Sequence, residues 1–217
     1  MQWQRHGEAS DAFAKAVALD PSRDDYYLLL GLSRQNAGEL TGAMQAFDAG
    51  IALQGVALSR LYLYRGNLRS STNLQGAIED YNQVELLGGT DLSFAFLNRG
   101  NLYLRSKNYD LAIPDYENYL ILEPNSPQEA QIRELLTLLR NQLAQEAEQA
   151  RLEAERERLL EEARRLEEAR KAEEEARRAA LMEQVLQSLS DSGEDTTNIG
   201  AGTENIREDF EESDLED

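Results

Sequence analysis

The stretch FLNRGNLYLRSKNYDLAIPDYENYLILEP, residues 96–124, decides the fold. Phe96-x-x-Arg99-Gly100 forms its first block, Ala112 precedes Tyr116 by four residues, and Pro124 follows eight residues later. The same pattern recurs upstream. Ala9, Ala43 and Ala77 precede Phe13, Phe47 and Tyr81 by the same interval, so the four alanines stand 34, 34 and 35 residues apart. Gly31 and Gly66 repeat Gly100, ending the blocks Tyr27-x-x-Leu30 and Tyr62-x-x-Arg65. Such a period means a stack of like units rather than one closed globule.

Apolar residues in Tyr26–Leu32 and Ala43–Leu53, and in their counterparts, recur at helical spacing, so each unit reads as two short antiparallel helices. A glycine in the first helix opposite an alanine in the second lets the backbones approach closely, and the aromatic fills the space beside them. Gly38, Asn73 and Asn108 stand between the paired helices, where a left-handed residue is expected to end the first one. Pro21 and Pro124 close the first and last units, and Gly55 and Gly89 hold those places in between.

This pattern resembles the tetratricopeptide repeat family, in which Leu-Gly, Tyr, Ala-x3-Phe and Pro recur every 34 residues. The resemblance covers residues 1–126 and implies an all-α fold, a short α-solenoid with whole repeats near 24–55, 59–89 and 93–126. It also implies a non-enzymatic scaffold, whose first helices line a concave groove that receives an extended peptide or a partner helix. The family's concave positions fall on Leu28 and Leu32, Leu63 and Asn67, and Leu97, Asn98, Asn101 and Arg105. The leucines are expected to be apolar anchors. The Asn67 and Asn101 amides are expected to bond a peptide backbone, and their truncation to leave stability nearly unchanged. Leu63 and Leu97 stand where chaperone-binding relatives place a basic residue, which argues against a clamp for a C-terminal carboxylate.

Several positions depart from the family pattern. Arg65 and Arg99 replace a leucine, Arg34 and Arg69 replace a tyrosine, and Tyr119 replaces a small residue. Pro114 is expected in the first turn of its helix, where a missing N–H is tolerable. The chain is expected to start inside a repeat: residues 7–21 match a second helix alone, leaving Met1–Arg5 as at most one turn of the first and Phe13 and Val17 short of partners. That start fits the C-terminal portion of a longer protein, or a start assigned late.

Beyond residue 126 the composition changes. Ser126-Pro127-Gln128-Glu129 reads as a capping box with proline at the first helical position. Ile132, Leu135, Leu136, Leu139 and Leu143 give an apolar stripe suited to a capping helix over 127–141. A charged helix then runs over 142–187, with Glu161–Arg165, Glu167–Lys171, Glu173–Arg177 and Glu174–Arg178 at i, i+4, each worth about 0.2–0.5 kcal/mol. Continuous from Pro127 to Gln187, it would be on the order of 90 Å long at about 1.5 Å per residue. Leu152, Leu159 and Leu166 fall seven apart but the next step is Glu173, so a solitary helix and a weak self-associating coiled coil both stand open. The second alternative makes the chain a structural or oligomerising spacer. Residues 188–217 are rich in Asp and Glu and poor in apolar residues, and are expected to be a disordered acidic tail.

Other chemistry finds no footing. The chain has no cysteine and one histidine, His6, and lacks the motifs of calcium loops, phosphate loops and nucleophile elbows. No cofactor, metal or catalytic residue is expected. The formal net charge of −19 opposes binding to nucleic acid and anionic membranes. No membrane-spanning run or signal peptide is visible, so the chain as given is expected in the cytoplasm, or exported if a signal precedes it.

Overall fold

The computed structural model describes residues 2–196, with side chains from 7 to 190. Among the described residues there are eight helices and no strand: α1 (Gln2–Leu19), α2 (Asp24–Asn36), α3 (Leu40–Ala52), α4 (Leu58–Arg69), α5 (Leu74–Leu87), α6 (Leu92–Arg105), α7 (Tyr109–Leu122) and α8 (Glu129–Thr196). Hairpins α2/α3, α4/α5 and α6/α7 form the three repeats, and each packs on the next. Two compact units divide the chain, Met1–Gln149 and Ala150–Asp217.

The repeated residues form the interior. Ala43, Ala77 and Ala112 are fully buried, as are Phe47, Tyr81 and Tyr116, each such aromatic adding roughly 1.5–3 kcal/mol of apolar burial. A Cβ at Gly66 would lie 2.8 Å from the Tyr81 ring, and one at Gly31 would collide with Phe47. Glycine is required there because the ring occupies the space a side chain would need. In α1 the equivalent Ala9, Phe13 and Val17 are only partly buried.

Helix boundaries correct several expectations. Gln2 already begins α1, so Gln2–Arg5 extend a second-type helix instead of supplying a turn of the first; no proline or glycine breaks the segment before Gly7. Gly38 adopts φ 81° after α2, but in the third repeat the left-handed residue is Lys107 at φ 60°, not Asn108. Asn73 lies at φ −142° and caps α5, its Oδ1 accepting from the Gly76 N–H at 2.9 Å. Pro114 sits in the second turn of α7, where its missing N–H leaves the Asp110 carbonyl without its usual donor, at a cost of about 3 kcal/mol. The expected capping box forms only in half. The Ser126 hydroxyl accepts from the Gln128 N–H at 3.1 Å, whereas Glu129 pairs with Arg133 and α8 starts two residues late.

The arginines that break the family pattern explain each other. In the second repeat Arg65 binds Asp80 of its own hairpin at 2.5 Å and Asp48 of the preceding α3 at 2.7 Å. In the third, Arg99 makes two bonds to Asp115, at 2.9 and 2.7 Å, and reaches back to Asn82 and Glu85 on α5. Each guanidinium also lies over the aromatic three residues before it, Tyr62 or Phe96. Arg69 adds a bond to Asp80, and Arg34 donates to the Gly42 carbonyl. Tyr119 belongs to the cluster that joins α6 and α7 to Ile132, Leu136 and Leu139 of α8, and its hydroxyl bonds Ser126 at 2.7 Å.

In the second unit, helix 150–196 keeps all its described side chains exposed. Glu161–Arg165, Glu167–Lys171 and Glu174–Arg178 form as ion pairs, and the fourth expected pair, Glu173–Arg177, does not. The helix passes through Ser188–Gly193 to Thr196 instead of ending near 187, because one glycine costs only about 1 kcal/mol and no proline intervenes. The tail from 197 on lies outside the described residues.

The Arg99–Asp115 pair makes a stability prediction. The first repeat has Leu30 and Ala46 at the same two positions. Arg99→Leu alone should cost about 3–5 kcal/mol in chemical denaturation, since it strands the buried Asp115 charge, and Asp115→Ala alone should cost less, since Arg99 keeps Glu85 and Asn82. The double variant, rebuilt on the first repeat, should return to within about 1 kcal/mol of wild type. Losses that simply add would show that the two groups do not act as a pair.

Candidate binding recess on the first helices

Four of the eight expected groove residues come together. Asn67 and Ser70 at the end of α4, and Asn98, Asn101, Leu102 and Arg105 on α6, line with Tyr81 a recess of about 380 Å³. The short hairpin loops bring these helix ends side by side, and Arg105 ties them by donating to the Ser70 carbonyl at 2.5 Å.

The amides in this recess have fixed orientations. Asn67 Oδ1 accepts from the Tyr81 hydroxyl at 2.8 Å and from Asn98 Nδ2 at 2.8 Å. Asn101 Oδ1 accepts from the Tyr116 hydroxyl at 2.8 Å. With the Asn67 and Asn101 oxygens and one Asn98 N–H engaged inside the fold, the remaining asparagine N–H groups and the Arg105 guanidinium outnumber the one amide oxygen left, that of Asn98. It therefore presents donors to carbonyl or carboxylate oxygens. The expectation that Asn67 and Asn101 can be truncated without loss of stability fails, because each removal strips a largely buried phenol of its acceptor, at about 1–3 kcal/mol.

The leucines play another part. Leu28 and Leu63 are 6% and 4% exposed, held in the cores of their repeats, and are not available as groove anchors. Leu32 and Leu97 are half-buried against the same kind of core. First helices lie between two second helices, so a face that helical periodicity assigns to the groove is partly covered by the preceding repeat. The sequence reading also missed the tyrosine hydroxyls. Their signal is a coupled change: Leu32 accompanies Phe47 in the first repeat, whereas Asn67 accompanies Tyr81 and Asn101 accompanies Tyr116 in the others.

A larger recess of about 650 Å³ lies among the loops between repeats, around Gly55, Gly88 and Thr90. Its Arg60 and Asp91 are paired with each other at 3.3 Å, which leaves fewer free polar groups aimed into the space. Among the described residues no group of three or more His, Cys, Asp or Glu is placed to hold a metal, and no helix is long and apolar enough to cross a membrane.

Burial acts on the tyrosines. It raises Tyr81 and Tyr103 above the ordinary phenol value and pushes Tyr116 up to about 12. Burial also raises the Asp115 carboxyl, against the opposing pull of Arg99. A phenol raised in the folded state favours folding fully below the unfolded value near 10, and that contribution is lost as pH climbs toward the folded value. Ultraviolet titration of the nine tyrosines should therefore show a late-ionising group, with stability falling from about pH 10 toward 12. A single transition near pH 10 for all of them would contradict the buried hydroxyl network.

Comparison with known proteins agrees with this architecture. Residues 95–126 match the family described as tetratricopeptide repeat. Two crystal structures of MamA share the fold, at 21% identity over 64% of this chain and 75% of that one, and at 22% over 64% and 83%, both with a TM-score of 0.55. A tetratricopeptide repeat protein from Parabacteroides merdae aligns at 20% identity over 63% of this chain and 54% of its own, with a TM-score of 0.54. No curated protein matches the chain in sequence.

Proposed function

We propose that this chain, whose helical repeats are of the tetratricopeptide kind, is a non-enzymatic scaffold that holds a peptide or partner helix against its first helices. The observation that carries this reading is the recess at Asn67, Asn98, Asn101 and Arg105, where the Asn67 and Asn101 oxygens are engaged by tyrosine hydroxyls and the remaining amide N–H groups and the guanidinium face a ligand. Donors on four residues suit a segment that brings oxygen atoms, main-chain carbonyls or acidic side chains, in place of the leucine-anchored segment that the sequence suggests. Desolvated N–H donors left unpaired by a wrong partner supply the specificity.

Arg105 is the suitable probe, because it is exposed and its one bond within the fold is to the Ser70 carbonyl. Arg105→Glu should weaken a partner captured by the full chain roughly tenfold or more, while the melting temperature moves by no more than about 2 °C. A partner bound equally well by Arg105→Glu, and lost on deletion of 142–217, would move the function from the repeats to the charged helix, as a spacer.

A further inference from the structure

The charged helix of the second unit changes character over a short window. From Arg151 to Arg178, 19 of 28 residues are charged, whereas between Ala179 and Ser190 the one charged residue is Glu183. Inside that window Leu181, Met182, Val185, Leu186 and Leu189 fall at i, i+1, i+4, i+5 and i+8, which places them on one face of the helix. Val185 is 47% exposed and Leu181 64%, with the other three between them. A helix held by ion pairs such as Glu174–Arg178 at 2.7 Å does not need such a face. A contiguous exposed apolar surface is the mark of an interaction site.

The flanking charges select its occupant. Before the face, residues 175–179 carry net plus one from Arg177, Arg178 and Glu175; after it, residues 191–195, which an antiparallel copy pivoting on Val185 sets against them, carry minus three from Asp191, Glu194 and Asp195. A second copy laid antiparallel about Val185 puts Leu181 beside Leu189 and sets each basic flank against an acidic one, twice over. A parallel copy sets like charge on like. The overall charge of −19 disfavours an anionic lipid surface as the occupant. We propose that the face from Leu181 to Leu189 is a self-association surface, covered by the same face of a second copy running antiparallel. It belongs to the second unit and does not depend on the reading of the recess.

The chain contains no cysteine, so one engineered residue gives a unique label. Position 172 lies 13 residues from Val185, so in an antiparallel pair two spin labels at Ala172→Cys are offset along the axis by twice that, about 39 Å at 1.5 Å per residue. A parallel in-register pair would hold them about 10 Å apart. Sedimentation of the full chain should show a concentration-dependent dimer, weakened roughly tenfold or more by Leu181→Glu with Leu189→Glu. Chains carrying Arg177→Glu with Arg178→Glu should dimerise poorly alone. They should pair well with chains carrying Asp191→Arg, Glu194→Arg and Asp195→Arg. A monomer at every concentration, a dimer indifferent to the double glutamate variant, labels about 10 Å apart, or no rescue on mixing would each overturn the proposal.

Discussion

A guanidinium buried among helices must have its donors met, and meeting them fixes where the neighbouring helices stand. Arg65 is shared between Asp80 on its own second helix and Asp48 on the preceding one, and Arg99 is shared in the same way among Asp115, Asn82 and Glu85. Asp48, Asn82 and Glu117 each follow the core aromatic by one residue, and Glu117 takes Arg140 of α8 as its partner. The junctions between hairpins are thus closed by a recurring polar bridge laid over an apolar core. Apolar packing alone would stabilise the stack nearly as well, since a buried ion pair gains little net energy over well-packed aliphatic groups. What the bridges add is directional: a slipped or rotated hairpin would leave charge unpaired in the interior.

The same logic extends to the surface. The coupled replacements that distinguish the second and third repeats from the first, arginine with aspartate and asparagine with tyrosine, lie within one turn of each other on the same helices. Arg99 and Asn101 flank Gly100, while Asp115 and Tyr116 are consecutive in α7. One pair of substitutions closes the interior, and the other orients an amide at the edge of the recess. The recess and the structural bridge are two sides of one set of residues, so the recess belongs to the second and third repeats and has no counterpart in the first, where Leu32 and Phe47 offer no polar side-chain groups.

Spacing made the repeat frame legible in the sequence. Alanine, aromatic and glycine at fixed intervals encode a steric fit, and Gly66 against the Tyr81 ring shows that fit directly. Arg65 and Arg99 were visible too, but only as departures, because a pairing across helices is read by comparing repeats with each other and not with a family pattern. Leu28 and Leu63 were misplaced for a different reason: helical periodicity says which residues share a face, not how many neighbours cover it. Lys107 and Pro114 occupy positions that local propensity disfavours, so residue preference alone does not find them. α8 runs past 187 because a serine-rich stretch with one glycine is a weaker helix stop than its composition suggests.

Hydrogen exchange on the intact chain tests most directly whether the polar bridges bind the hairpins into one cooperative body. Amides in the cores of α4, α5, α6 and α7 should share a single high opening free energy, with α1 and residues 150–176 opening at far lower cost. Arg99→Leu should lower that shared value across all four helices together. Hairpins α4/α5 and α6/α7 exchanging with separate free energies, and only the second responding to Arg99→Leu, would contradict the account.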